Sequence, residues 1–337
     1  MLSGGTHPSP GWARPIWVLD RPRFRTFHSA GEMLQLRPLW ESVCAGQPHT
    51  IFQDFELNLL AAQSFAGREA PFIVYAEASY GLAIIPAVVC RQAGRLRLLG
   101  EELFDYRCFL HQGDPEILRQ AVAMLAGQGL PLEVTAVRPG DILDGMLPLL
   151  PFCAAPAVAC ADISANDFAL AHTRLGRNLR RLARLGYAPR RYNGDYPGLL
   201  RLIYERKAAQ DPGSLFHDRT RIEFLVNAAR LQPQSFEIFT LEDEASIAAA
   251  VVTLREDGCR RFYTGWFSPE LEKHSPALSL IHEVTRESLA NGLDCDYMTG
   301  EQPYKLRLAT RRIPLHRIRA TAGELAGVAS AEQTQAA

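Results

Sequence analysis

The stretch LDCDYMTGEQPYKLRLA, residues 293–309, begins with the pattern of a buried strand and continues into a helix that carries reactive side chains. Strand alternation places Asp294 and Asp296 on the same face. A strand flanked by helices is covered on both faces, so carboxylates within it need hydrogen-bonding or charged partners. This strand therefore does more than fill a core.

The C-terminal end of that strand is the first candidate site. Ligands of open α/β sheets bind at such ends. The end offers Thr299, Gly300 and Glu301, and Pro303 then begins a helix with Tyr304 and Lys305. A carboxylate, a phenol and an ammonium group are thus expected close together.

The start of the preceding helix is the second candidate site. Ser275 and Pro276 supply an N-cap residue and a proline at the first helical position. The N–H groups of Ala277, Leu278 and Ser279 are predicted to be free and to lie at the positive end of the helix dipole, which suits a phosphate or pyrophosphate. A well-capped core helix without a ligand is the alternative interpretation. The candidate phosphate-binding residues are Lys273, His274, Ser275, Ala277, Leu278 and Ser279.

The same order of predicted helices and strands occurs twice along the chain, in a first and a second half. Residues 72–89 and 236–252 align, with IIPAVV over IAAAVV, and each segment reads as two strands joined by a turn. A repeat of about 160 residues that also repeats element order indicates a duplicated α/β unit.

A predicted basic helix, HTRLGRNLRRLARLGY, lies between the two halves. Its leucines recur at helical spacing, and it carries five arginines and no acidic residue. One interpretation is a connecting helix with a solvated basic face, and the near-neutral total charge favours it. The other is a patch for an anionic partner, such as nucleotide phosphates, RNA or a membrane surface. The arginines are Arg174, Arg177, Arg180, Arg181 and Arg184.

Composition excludes several classes of protein. With 36 basic and 37 acidic residues, the net charge of −1 gives no overall attraction to nucleic acid or anionic lipid. Seven cysteines without a C-x-x-C pair argue for a reducing compartment and against a zinc site. The longest uncharged run, residues 146–161, is too short to span a bilayer and contains three prolines. The sequence predicts a cytoplasmic protein without a transmembrane segment.

Motifs of other enzyme classes do not occur. There is no G-x-G-x-x-G, P-loop, G-x-S-x-G or H-E-x-x-H sequence, and no pattern of metal ligands.

The order of elements in the second half resembles the GNAT acyltransferase fold. The stretches SPALSL and GEQPYKLRLAT, the arginine-rich helix and Phe52-Gln53 resemble the branch that contains CelD-type cellulose-biosynthesis proteins and FemAB-like tandem GNAT proteins. The resemblance covers most of residues 36–320. It implies an α/β protein of two tandem GNAT-like units, each a mixed, mostly antiparallel sheet flanked by helices. These units are expected at residues 31–165 and 166–325, between a flexible N-terminal segment (1–30) and a flexible tail (326–337).

The resemblance also implies an N-acyltransferase that uses acyl-CoA and no metal. The donor's pyrophosphate would lie at residues 273–279, although Ala277 stands where this branch often has glycine. The first half lacks such a helix start, so its segment GEELFDYRCFLHQGDPE is expected to be structural or to shape the acceptor site. The implied roles are thiolate protonation by Tyr304, general base or acceptor positioning by Asp296 and Glu301, and substrate binding by Lys305, Tyr263 and Trp266.

The acceptor is expected to be a small molecule, glycan or peptide, with an amine or hydroxyl that takes the acyl group. Two rival functions stay open. One is a FemAB-like transferase that uses aminoacyl-tRNA, with the arginine-rich helix as the RNA contact. The other is a non-catalytic accessory protein of exopolysaccharide synthesis. The sequence does not indicate the oligomeric state.

Overall fold

The computed structural model describes residues 21–47, 49–140, 145–256 and 258–330. One continuous mixed sheet contains all the strands of these residues. The strands are β1 (Arg23–Phe27), β2 (Ala70–Ala78), β3 (Gly81–Cys90), β4 (Arg95–Leu98), β5 (Leu110–Gly113), β6 (Leu132–Val137), β7 (Leu149–Val158), β8 (Ala188–Arg191), β9 (Phe236–Glu242), β10 (Ile247–Glu256), β11 (Cys259–Phe267), β12 (Asp294–Asp296) and β13 (Arg311–Ala320).

Eleven α-helices in the described residues pack on this sheet or on one another. They are α1 (Ala30–Met33), α2 (Arg37–Ala45), α3 (Phe55–Ser64), α4 (Pro115–Met124), α5 (Ala165–Ala171), α6 (Thr173–Arg184), α7 (Tyr196–Gln210), α8 (Arg219–Leu231), α9 (Pro276–Ala290), α10 (Pro303–Leu308) and α11 (Ala322–Gly327). A 3₁₀ helix at Pro269–His274 connects β11 to α9.

The same order of strand pairing occurs twice in the sheet, as the aligned segments predict. Strands β1 to β4 form an antiparallel run, and β4 then pairs in parallel with β6. Strands β8 to β11 form the same antiparallel run, and β11 pairs in parallel with β12. The duplicated α/β architecture predicted from sequence is therefore confirmed.

The two units share strands where they meet. The sheet runs in the order β6, β13, β7, β12, so each unit's last long strand lies beside the other unit's parallel strand. Strand β13 pairs with β6 of the first unit, and β7 pairs with β12 of the second. The two exchanged strands also pair with each other along nearly their whole length. Neither unit has a complete sheet without the other.

Strands β7 and β13 were not predicted from sequence. Pro151 and Pro156 lie within β7, and Pro314 lies within β13. Proline removes a ladder donor and normally argues against a central strand. The register shift between Leu315 and His316 marks where the β7–β13 ladder is irregular.

The chain ends differ in part from the expected flexible segments. Residues 23–27 form β1, which pairs with β2 along its full length, and residues 322–327 form α11, whose Leu325 is fully buried. Residues 1–20 and 331–337 lie outside the described part of the chain. The strand predicted around residue 106 begins instead at Leu110.

Helix α9 is the central helix of the second unit and has an unusual buried histidine. It packs against α5, α6 and the strands β9 to β12. His282 is 2% exposed, stacks on Phe168 at 5.3 Å between ring centroids, and has no hydrogen-bond partner at either ring nitrogen. Burial lowers the pKa of His282 to about 4, with the carboxylate of Glu283 acting in the opposite direction.

This histidine predicts a pH dependence of stability. Because its pKa is lower in the folded than in the unfolded chain, the unfolded chain binds the extra proton first, and stability falls as pH drops from about 6.5 towards 4. The loss is on the order of 3 kcal/mol at the acid end. Urea unfolding across this range should show a shallower pH slope for His282→Leu than for the wild type. Identical slopes would contradict the assignment.

No helix in the described ranges combines the length and apolar character needed to cross a membrane. All seven cysteines are free thiols. Within the described residues, no cluster of three or more His, Cys, Asp or Glu side chains could hold a metal ion.

Candidate active site

The sheet opens between β11 and β12. These parallel strands pair only through residues 259–261 and 294–296. Beyond that point β11 remains paired with β10. The chain after β12 remains hydrogen-bonded to β7, where the amide of Tyr297 donates to Pro156 O at 2.9 Å and the amide of Gly300 donates to Ala154 O at 3.0 Å. The glycine has φ 106°, a conformation that favours glycine at this turn.

A cavity of about 690 Å³ lies in this opening. Its walls come from both units. The second unit contributes the β11 edge, the start of α9, Lys207 of α7 and the helix α10. The first unit contributes the loop with Leu103 and Asp105.

The start of α9 presents two free amides to the cavity. Ala277 and Leu278 line it, and their N–H groups have no backbone acceptor among the described residues. The predicted third donor is wrong, because the amide of Ser279 donates to Ser275 O at 2.9 Å. The predicted side-chain cap is also wrong. Ser275 occupies the N-cap position with φ 48°, and its side chain makes no capping hydrogen bond.

Lys273 and His274 end the 3₁₀ helix just before α9. Neither lines the cavity: Lys273 is exposed, and His274 is half-buried. Ser275 and Glu272 of the same turn do line it.

Asp105 is a carboxylate of the cavity wall that is held in place by Thr299. It accepts hydrogen bonds from Thr299 Oγ1 at 2.9 and 3.0 Å. Burial raises the pKa of Asp105 above its ordinary value, and the hydrogen bonds from Thr299 only partly offset this. A carboxylate with a raised pKa that faces a cavity is suited to accept a proton.

Two lysines line the same cavity. Lys305 is buried and donates from Nζ to Thr299 O at 2.7 Å. Burial lowers the pKa of Lys305, while the carboxylates of Asp105 and Asp296 act in the opposite direction. Lys207 donates to Gly265 O at 3.4 Å, and burial lowers its pKa too.

Three aromatic residues were predicted to belong to the site, and two of them line the cavity. Tyr304 lines it and remains 36% exposed, and burial raises the pKa of its phenol. Tyr263 also lines it, but its hydroxyl donates to Leu103 O at 3.0 Å, which joins β11 to the first unit. Trp266 does not line it. Its ring is buried in a hydrophobic cluster under Arg206, whose guanidinium lies 4.6 Å from the ring centroid.

The two carboxylates predicted as catalytic lie away from the cavity wall. Asp296 is buried behind it, where it accepts from Tyr106 Oη at 2.6 Å and from the amide of Met298 at 2.7 Å, with Arg261 at 3.5 Å. Glu301 is exposed and does not line the cavity. The structure thus brings Tyr304, Lys305, Tyr263 and the α9 start together, but not Asp296, Glu301 or Trp266.

Sequence reasoning missed Asp105 and Lys207 as residues of the site. The only signal for Asp105 was its position in the segment that was expected to be structural or to shape the acceptor site. Lys207 is one of only three lysines in the sequence, and this scarcity was the one available signal for it.

Comparison with known proteins supports a GNAT assignment for the second unit. The family model described as an acetyltransferase (GNAT) domain matches residues 171–306. This range contains every lining residue of the cavity except Glu102, Leu103 and Asp105. A search of the curated proteins finds no match to the chain.

Solved structures share the fold over most of the chain. The C-terminal domain of a protein described as a lysylphosphatidylglycerol synthetase, from Agrobacterium fabrum, aligns with TM-score 0.57 and 12% identity over 91% of this chain and 97% of that one. L-PGS from Bacillus licheniformis aligns with TM-score 0.55 and 10% identity over 85% and 91%. FemX aligns with TM-score 0.56 and 9% identity over 85% and 96%. Residues 171–306 therefore match the GNAT acetyltransferase domain model, and over most of its length the chain shares the fold of FemX.

Proposed function

We propose that this protein transfers an acyl group from acyl-CoA to an amine. The observation that carries the proposal is the cavity in the opened sheet, which brings the free amides of α9, the phenol of Tyr304 and the carboxylate of Asp105 to one place. The domain boundaries near residues 165 and 325 are part of the same proposal, with the acyl donor in the second unit.

The donor's pyrophosphate would bind at the start of α9. The first turn of a helix leaves N–H groups without an intrahelical acceptor, which makes a helix start a position that binds anions. Pro276 lacks an N–H, so Ala277 and Leu278 are the donors, and the helix dipole favours a negative group there. Lys273 would add positive charge beside this position, and His274 lies next to it.

The acyl carbonyl would lie against the β11 edge. Ser268 N–H donates to Ala248 O across β10, at 2.8 Å. Because strand amides alternate in direction, Gly265 and Phe267 turn their N–H groups away from β10, towards the opening. Gly265 N–H is therefore the proposed donor to the oxyanion that forms during attack.

The reaction needs two proton transfers. Asp105 would take the proton of the acceptor amine as its nitrogen attacks the thioester carbon. When the C–S bond breaks, Tyr304 would give its phenolic proton to the leaving thiolate, since its raised pKa keeps the phenol protonated. Lys305 would hold the acceptor or the carboxylate of Asp105. Asp296 and Glu301 do not line the cavity, so this scheme gives neither of them a part.

A second candidate is transfer from aminoacyl-tRNA. It is favoured by the fold shared with the protein described as a lysylphosphatidylglycerol synthetase, whose name denotes an aminoacyl group on a lipid. The same cavity would take the ester of the aminoacyl group in place of a thioester.

Calorimetry with acetyl-CoA and longer acyl-CoAs tests the donor. Ala277→Asp is expected to weaken binding by about 10²-fold, because it places a carboxylate against the pyrophosphate and like charges cost several kcal/mol. An aspartate at this position suits a helix start, so the variant should fold. The isosteric control Ala277→Asn should change affinity only a few-fold. Absence of acyl-CoA binding by the wild type would reject the proposal and leave the aminoacyl-tRNA donor.

A further inference from the structure

Helix α6 carries an unpaired basic surface. We call Arg174, Arg177, Arg180, Arg181 and Arg184 the arginine face. All five side chains are exposed, and none forms an ion pair with a residue in the described ranges. No acidic residue occurs anywhere in residues 173–191. In a chain of net charge −1, this helix is a strong local concentration of positive charge.

The helix is held rigidly by its opposite side. Leu175 and Leu182 are buried in the same hydrophobic cluster as Leu280 and Val284 of α9. Hence the arginine face is presented by a packed helix, and its exposure is fixed by the fold.

Exposed apolar side chains lie next to both ends of α6 along the chain. Leu170, just before α6, is 70% exposed, and Leu185, just after it, is 53% exposed. They are the two most exposed large apolar side chains among the described residues. Neither leucine is buried in the hydrophobic core. Leaving both in water loses the free energy that burial of apolar surface would provide.

We propose that the arginine face, with Leu170 and Leu185, docks on an anionic membrane surface. Arginines near a negatively charged leaflet bind its headgroups, and leucines beside them insert at the boundary with the acyl chains. The leucines are what favours a membrane over RNA. Phosphates of RNA would engage the arginines but would leave the leucines in water.

Helix α6 lies close to the cavity, so docking through α6 bears on access to the cavity. Helix α6 contacts both α9 and the 3₁₀ helix at Pro269–His274, and these two elements also supply Leu278 and Glu272 to the cavity wall. Docking would therefore hold the cavity close to the membrane surface, where, on the proposed acyl transfer, a membrane-borne amine could reach it. The docking itself does not depend on that activity.

Vesicle co-sedimentation tests the proposal, with phosphatidylcholine vesicles and with vesicles of phosphatidylcholine and phosphatidylglycerol. The wild type should bind only the anionic vesicles, and less as salt rises. Replacing Arg177, Arg180 and Arg181 together by Gln should lower the partition coefficient by about 10²-fold. Replacing Leu170 and Leu185 by Ser should lower it by about 10-fold or more. Glutamine is a good helix former, so α6 should remain folded, as circular dichroism can check.

A matched control removes the same charge elsewhere. Replacing Arg23, Arg91 and Arg219 by Gln also removes three exposed arginines, none of them on α6, and should leave vesicle binding within about 5-fold of the wild type. Equal loss in this control would overturn the proposal, as would equal binding of the wild type to neutral and anionic vesicles. Titration with unfractionated tRNA tests the alternative that the arginine face binds RNA. Binding to tRNA that the α6 variant loses, without binding to anionic vesicles, would overturn the membrane assignment in favour of RNA.

Discussion

Asp105→Asn should lower kcat by about 10²- to 10⁴-fold, the usual contribution of a positioned general base. The amide keeps the shape of the side chain and can still pair with Thr299, but it cannot accept the proton of the amine. Donor binding, measured by calorimetry, should be nearly unchanged, because Asp105 lies on the loop of the first unit and not at the start of α9. Thiol release from acyl-CoA with a panel of amines measures the rate.

The pH profile separates this role from a structural one. Since burial raises the pKa of Asp105, the wild-type rate should fall as pH drops through that raised value, when the carboxyl becomes protonated and can no longer act as a base. The residual activity of Asp105→Asn should lack this acidic limb. Glu102, an exposed carboxylate of the same cavity, provides the control. If Glu102→Gln slowed the reaction as much as Asp105→Asn, the assignment of the base would be wrong.

Glu237→Gln should lower the free energy of unfolding by about 3–5 kcal/mol, the cost of breaking a buried ion pair by removing one partner. Glu237 is fully buried and accepts from Arg260 Nε at 2.9 Å, with Arg191 Nη2 also at 2.9 Å. Arg260 is itself 3% exposed, so it would remain charged in the interior without its carboxylate. Urea unfolding followed by fluorescence measures the difference.

The surface pair of Arg201 and Glu223 is the matched control for that experiment. It has two hydrogen bonds of 2.8 Å, but both side chains are about a third exposed. Solvent screens such a pair, so Glu223→Gln should cost only about 0–1 kcal/mol. Similar losses for the two variants would show that burial of Glu237 does not set the cost.

Local patterns in the sequence determined much of the fold. Alternation and turn signals predicted the hairpins of β2 with β3 and of β9 with β10, because a strand's two faces meet different surroundings whatever lies beyond them. The start of α9 was likewise predicted at Pro276, since proline at a first helical position acts within one turn. The resemblance to tandem GNAT proteins followed from such stretches.

Tertiary structure alone decided how the units join and which side chains form the site. Strands β7 and β13 carry prolines and become central strands only because each completes the other unit's sheet, a pairing between segments about 160 residues apart that no local pattern encodes. Asp105 reaches the cavity from the first unit, whereas Asp296, although adjacent in sequence to the site, is turned behind it to bind Tyr106 and Arg261. Nearness along the chain determined which elements form, and the exchange of strands between units determined which of their residues meet.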